Sequence, residues 1–61
     1  METHQIIKET EDCYIALGIG NWFSWHITHE YVEWVVSSIY GRYKGTFNTF
    51  EEAIRSLTEE N

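Results

Sequence analysis

The sequence predicts a small α+β domain: an antiparallel meander of three or four strands with one C-terminal helix packed across it. Three patterns carry this reading. Residues 13–19 and 22–28 alternate with the period of two that puts successive side chains on opposite faces of a sheet. Gly20 and Asn21 lie between them, and both tolerate the positive φ of a tight hairpin turn. Near the C-terminus Phe50, Ala53, Ile54 and Leu57 fall at i, i+3, i+4 and i+7, the apolar stripe of a helix lying on a flat surface.

Residues 1–12 are polar around Ile6 and Ile7 and read as an arm with a possible edge strand through 5–8; residues 13–61 form the compact domain. In the first clear strand Cys13, Ile15, Leu17 and Ile19 share one face, with Tyr14, Ala16 and Gly18 on the other. Gly18 in mid-strand leaves room for a ring across the pair or marks a bulge. In the returning strand Phe23, Trp25 and Ile27 form the apolar floor the helix needs, opposite Trp22, Ser24, His26 and Thr28.

Residues 31–40 fit two periods. A helix would start at Thr28, bury Val32, Val35, Val36 and Ile39, and stop at Gly41. A strand would alternate Val32, Trp34 and Val36 with Tyr31, Glu33 and Val35. β-Branched and aromatic residues dominate the segment, which favours the strand. Gly41 and Arg42 then turn the chain into a last strand, 43–47. Thr49 with Glu52 is a capping box, Asn48 with Glu51 offers a second register, and both glutamates suit the positive end of the helix dipole. On this reading Ile54→Asp unfolds the domain.

Sixty-one residues make one domain near the lower size limit for independent folding. The single cysteine, Cys13, excludes an internal disulfide, so the bulk of the core must come from ten aromatic side chains. That is more than so small a core hides, and a homodimer is the simplest partner for the surplus. The net charge is −6. Residues 1–12 and 49–61 each carry −3, while 13–48 is neutral, with Glu30 and Glu33 against Arg42 and Lys44. Phosphate binding rests on cations, so this balance disfavours a nucleic-acid partner. Residues 1–8 lack the basic start and apolar run of a secretory leader, and no apolar run is long enough to span a membrane; a cytoplasmic location with no membrane partner is the expectation.

No constellation for catalysis or a cofactor stands out. His26 and His29, with Cys13 and His4, supply ligand types for zinc, but a three-residue separation in a strand points the two rings to opposite faces. Ordinary strand histidines are the better reading, and no metal is expected. Cys13 sits beside Glu11 and Asp12, where negative charge raises a thiol pKa instead of activating it. Gly18-Ile19-Gly20 lacks the third glycine and the following helix of a dinucleotide fingerprint. The protein is expected not to be an enzyme.

The aromatic residues hold the functional promise. With Phe23, Trp25 and Ile27 under the helix, the opposite face would carry Tyr14, Trp22 and Trp34, near the cationic turn Tyr40, Arg42, Tyr43 and Lys44. Those seven residues form the candidate partner-binding site. The segment Y-K-G-T-F-N-T-F-E-E-A-I-R-S-L, residues 43–57, resembles the end of the AP2 DNA-binding domain, where a G-T-F-x-T strand precedes an E-E-A-A helix start. The resemblance implies a three-stranded antiparallel sheet packed on one helix, and in that family Arg and Trp of the sheet read DNA. It covers about a quarter of the chain. The upstream basic strand residues of that family are missing here, so only the architecture carries over. The function expected is a small acidic, non-enzymatic protein-binding module. It is of the regulatory or inhibitory kind that phages and mobile elements encode, some of which use acidic surfaces to occupy sites meant for nucleic acid. The alternative is a nucleic-acid binder that stacks bases on an aromatic sheet face.

Overall fold

The computed structural model describes residues 2–38 and 40–59. Strands β1 (His4–Thr10), β2 (Cys13–Gly18), β3 (Trp25–Glu30), β4 (Glu33–Ser37) and β5 (Tyr43–Phe47) run antiparallel in chain order, followed by helix α1 (Phe50–Ser56). A single 3-10 turn, Leu57–Glu59, extends it. This is the α+β meander the sequence implies, with five strands where three or four were expected. The added strand is β1. It is seven residues long and pairs with β2 from His4↔Gly18 to Thr10↔Cys13, across a bulge between Lys8 and Thr10. Its polar composition suits an edge strand, whose outer row of backbone groups is hydrated.

Residues 31–40 resolve in favour of the strand. β4 holds Trp34 and Val36 on one face and Glu33 and Val35 on the other, while Tyr31 and Val32 form the two-residue turn of the β3–β4 hairpin. Ile39, which the helical alternative would have buried, lies outside the described residues. The tight hairpin expected at Gly20-Asn21 is absent from that place. β2 ends at Gly18 and β3 begins only at Trp25, so a longer loop connects them, with Gly20 at φ 68°. Phe23 therefore belongs to the loop and not to the helix floor. Between β4 and β5, Ser38 N–H donates to Arg42 O at 2.8 Å and Gly41, at φ 85°, closes the turn.

The C-terminal part follows the sequence closely. Thr49 is the N-cap of α1: its Oγ1 accepts from Glu52 N–H at 3.1 Å, and Glu52 Oε1 accepts from Thr49 N–H at 3.2 Å. Such a cap contributes about 1 kcal/mol. Ala53 and Leu57 are buried, and Phe50 and Ile54 pack beside them. Ser56 is buried as well, its hydroxyl donating to Ala53 O at 2.7 Å, which is how a polar side chain fits the helix underside.

Register fixes which sheet face lies under the helix. Tyr14 pairs with Ile27, Ala16 with Trp25, Ile27 with Val36, and Val36 with Gly45. Directly opposed residues share a face, so these side chains form one layer. Ala16, Trp25, Ile27, Val36, Ala53 and Leu57 are its buried core. Two of the six are alanines, one on the sheet and one on the helix, and at both places a larger side chain would hold the two layers apart.

Candidate binding surface

The same register leaves a second face with no helix on it. Ile7, Ile15, His26, Ser37 and Tyr43 lie in one row across it, and Cys13, Thr28, Val35 and Thr46 in another. Leu17 and Ile7 are exposed there. At one end the face deepens into a groove of about 560 Å³. Its floor is Ile15, Leu17 and His26; one wall is the β2–β3 loop with Trp22, Phe23 and Ser24, and the other is the β4–β5 loop with Ser38, Tyr40 and Arg42. Trp25, a member of the helix-side layer, also lines it, so the groove reaches round the end of the sheet. A concave site that is mostly apolar, with a few polar groups and one cation, has the composition of a binding cleft.

Each wall is fixed by its own chemistry. His4 is buried in β1, and its ring is hydrogen-bonded to Thr3 Oγ1 through Nδ1 and to Phe23 O through Nε2, both at 2.8 Å. A neutral ring carrying its proton on Nε2 satisfies both contacts, donating to the carbonyl and accepting from the hydroxyl. The indole of Trp22 stands edge-on to His4 at 5.7 Å. Ser24 Oγ accepts from Gly18 N–H at 2.9 Å. Together these tie the loop to the start of β1 and the end of β2. On the opposite wall the Arg42 guanidinium lies over Phe23 at 5.2 Å and over Trp25 at 6.0 Å, and Lys44 Nζ sits 5.1 Å from the Trp25 ring. Ser38 Oγ accepts from the backbone N–H of Tyr40 and of Arg42, which holds that turn.

Of the seven expected site residues, Trp22, Tyr40 and Arg42 line the groove. Tyr43 lies on the same open face, its hydroxyl hydrogen-bonded to Thr46 Oγ1. Lys44 is partly buried at the β4–β5 bulge beside Trp25. Tyr14 and Trp34 do not join them. Both lie under the helix, with Phe50 at 4.6 Å from Tyr14 and 5.0 Å from Trp34, and His29 stacks on Trp34 at 4.4 Å. The expectation took Phe23, Trp25 and Ile27 for one face and set Tyr14 opposite. Pairing Tyr14 directly with Ile27 brings it to the same side. Conversely, Ile15, Leu17, Phe23 and His26 belong to the groove and were not among the expected site residues. For Ile15 and Leu17 the signal was present in the odd-numbered alternation of β2, whose apolar members carry no obligation to face the helix.

The remaining chemistry-bearing side chains are scattered. Asp12 Oδ1 lies 3.2 Å from His29 Nδ1, beside a backbone bond from His29 N–H to Asp12 O at 2.8 Å. Among the described residues, no three of His, Cys, Asp and Glu gather where they could share a metal ion. The Cys13 thiol is pushed above its ordinary value by desolvation, and then by the Glu9 carboxylate, to which it donates at 3.6 Å. A raised thiol pKa means less thiolate at any given pH. Alkylation of Cys13 by iodoacetamide at pH 8 is therefore expected to run slower in the folded chain than in denaturant. Glu9→Gln should recover part of the difference, because it removes the charge and leaves the desolvation. An equal rate in folded and unfolded chains would contradict this. Among the described residues no helix is long and apolar enough to cross a membrane. Comparison with protein-family models, with curated proteins and with solved structures finds no match for this chain.

Proposed function

We propose that this chain is a non-enzymatic protein-binding module, regulatory or inhibitory in role, whose contact surface is the uncovered sheet face with its groove. The observation that carries the reading is the grouping of exposed large side chains around that groove. Leu17, Ile19, Phe23, Tyr40 and Tyr43 are all exposed, Phe23 and Tyr40 line the groove from different loops, and the Arg42 guanidinium lies over the Phe23 ring. Aromatic residues and arginine over an apolar floor are the composition of binding hot spots. A domain this small gains nothing for its own stability from leaving such groups in water.

The test is a pull-down from cytosol with the intact chain and with Phe23→Ser/Tyr40→Ser, both substitutions being at exposed loop positions. The reading expects a defined partner retained by the first and lost by the second. Capture of the same proteins by both would overturn it.

A second reading has one observation in its favour. Arg42, in the β4–β5 loop, and Lys44, in β5, sit at the groove end of the molecule among Trp25, Phe23 and Tyr40. Cations beside stacking rings suit a single-stranded nucleic acid. A gel shift that weakens as salt rises would support it, and no shift at low salt would remove it.

A further inference from the structure

The open face is polarised along its strands. The β1–β2 and β3–β4 turns lie at one end, the β2–β3 and β4–β5 loops at the other. At the first end stand Glu9, Glu11, Asp12, Glu30 and Glu33. At the second end lie the groove and Arg42, with Lys44 close by. Lys8 pairs with Tyr14 and so belongs to the helix side. The face is thus acidic at one end and apolar with a cation at the other.

The acidic end also carries two of the three most exposed large apolar side chains among the described residues. Tyr31 and Val32, the β3–β4 turn, are 97% and 81% exposed. Tyr31 holds φ 58°, a left-handed conformation that a hairpin usually gives to Gly, Asn or Asp. Glu30 and Glu33 flank the pair and face each other across the hairpin. The turn is therefore an apolar tip between two carboxylates, and the groove is an apolar cleft beside a guanidinium.

We propose that the occupant of the groove is the β3–β4 tip of a second copy of this chain, in a closed two-fold dimer formed face to face with strands antiparallel. The proposal rests on the reading of the open face as a protein-binding surface and names its partner. Tip and groove stand at opposite ends of one face, so a two-fold axis through its middle brings each tip to the other copy's groove. Both contacts form at once, as an isologous interface requires. Glu30 and Glu33 of each copy meet Arg42 of the other, and the like-charged ends are kept apart.

Light scattering on the purified chain, over a range of protein and salt concentrations, tests this. The expected result is twice the chain's mass, falling towards one as salt rises. Tyr31→Gly, which the turn's φ accommodates, should weaken the dimer by at least about tenfold. Arg42→Glu should do the same, and Glu30→Arg/Glu33→Arg added to Arg42→Glu should restore it. Circular dichroism checks that each variant is folded. If Arg42→Glu does not fold, Tyr31→Gly carries the test alone, because its side chain lies in solvent. A wild-type chain that stays monomeric, masses that grow past two copies, or a dimer indifferent to Tyr31→Gly would overturn the proposal. Failure here is separable from failure of the broader reading. A monomer that still captures another protein through Phe23 and Tyr40 removes the dimer only, whereas a chain in which Phe23→Ser/Tyr40→Ser changes neither self-association nor capture removes the wider reading of that face.

Discussion

Leu57→Asp is expected to abolish cooperative melting of this chain. Leu57 is 1% exposed and is the C-cap of α1, its N–H donating to Ile54 O. It belongs to the core with Ala16, Trp25, Ile27, Val36 and Ala53. Truncating a buried leucine costs about 2–5 kcal/mol, and a carboxylate in its place adds the desolvation of an unpaired charge. A domain of this size holds only about 3–9 kcal/mol in all, at roughly 0.05–0.15 kcal/mol per residue. The penalty is of the same order as the whole, so the folded state is lost. A thermal scan by circular dichroism with tryptophan emission checks it, and a retained sigmoidal transition would show that the helix is not held by this contact. Leu57→Met, which keeps the volume, is the matching control and should cost less than about 1.5 kcal/mol.

Ile54→Asp is expected to be the gentler substitution, where the sequence reading has it unfold the domain. Ile54 is only partly buried, whereas Leu57 is 1% exposed, and Ile54 borders an open cleft with Glu2, Thr3, His4, Ile6, Leu57 and Thr58, from which a carboxylate at position 54 can reach water. Periodicity puts Ile54 and Leu57 on one stripe, but the stripe has a centre and an edge. The centre is set by where the helix crosses the sheet, and one helix period carries no information about that.

The same distinction decides what the sequence makes legible elsewhere. The strand-cap-helix order of residues 43–57 is readable because each signal is local: β-propensity ends at Phe47, the capping box sits on Thr49 and Glu52, and the stripe follows. The strand reading of residues 33–37 is likewise local, since Trp34, Val35 and Val36 suit a pleated surface and not a helix. The face assignment is a register property instead. Tyr14 goes under the helix because it opposes Ile27, and nothing within β2 distinguishes its two faces strongly enough to say so. The loop after Gly18 misleads for a similar reason: Gly20-Asn21 does turn the chain, but Trp22 and Phe23 cross back over β2 before β3 begins. That crossing turns Phe23 from an expected floor residue into a groove wall. Three of the seven expected residues therefore line the groove, and two lie under the helix. The loop members Trp22, Tyr40 and Arg42 needed only to be near turns, whereas Tyr14 and Trp34 needed a register.

Gly18 is the position where that crossing is most exposed to a single change. A Cβ there would lie 1.9 Å from Trp22 O, 2.5 Å from Trp22 C and 2.8 Å from Phe23 O. All three are backbone atoms, so no side-chain rotation relieves the clash and the loop itself has to move. Gly18→Ala is expected to cost about 1–3 kcal/mol or more, which for a domain of this size lowers Tm by roughly 4–8 °C per kcal/mol. The displacement also pulls Phe23 O from His4 Nε2 and Ser24 Oγ from Gly18 N–H, both of which hold the groove wall. Amide shifts should change at residues 3–4 and 18–26 and remain in place along α1, and any binding through the groove should fall with them. Gly20→Ala separates sterics from backbone conformation. At Gly20 a Cβ meets nothing within 4 Å, but φ is 68°, so its cost is the left-handed penalty of about 1–2 kcal/mol with the wall left standing. Gly20→Asn should recover part of that loss. If Gly18→Ala instead behaved like Gly20→Ala, with the wall's amide shifts unmoved, the loop would not cross β2 at Gly18 and the groove would lose its wall.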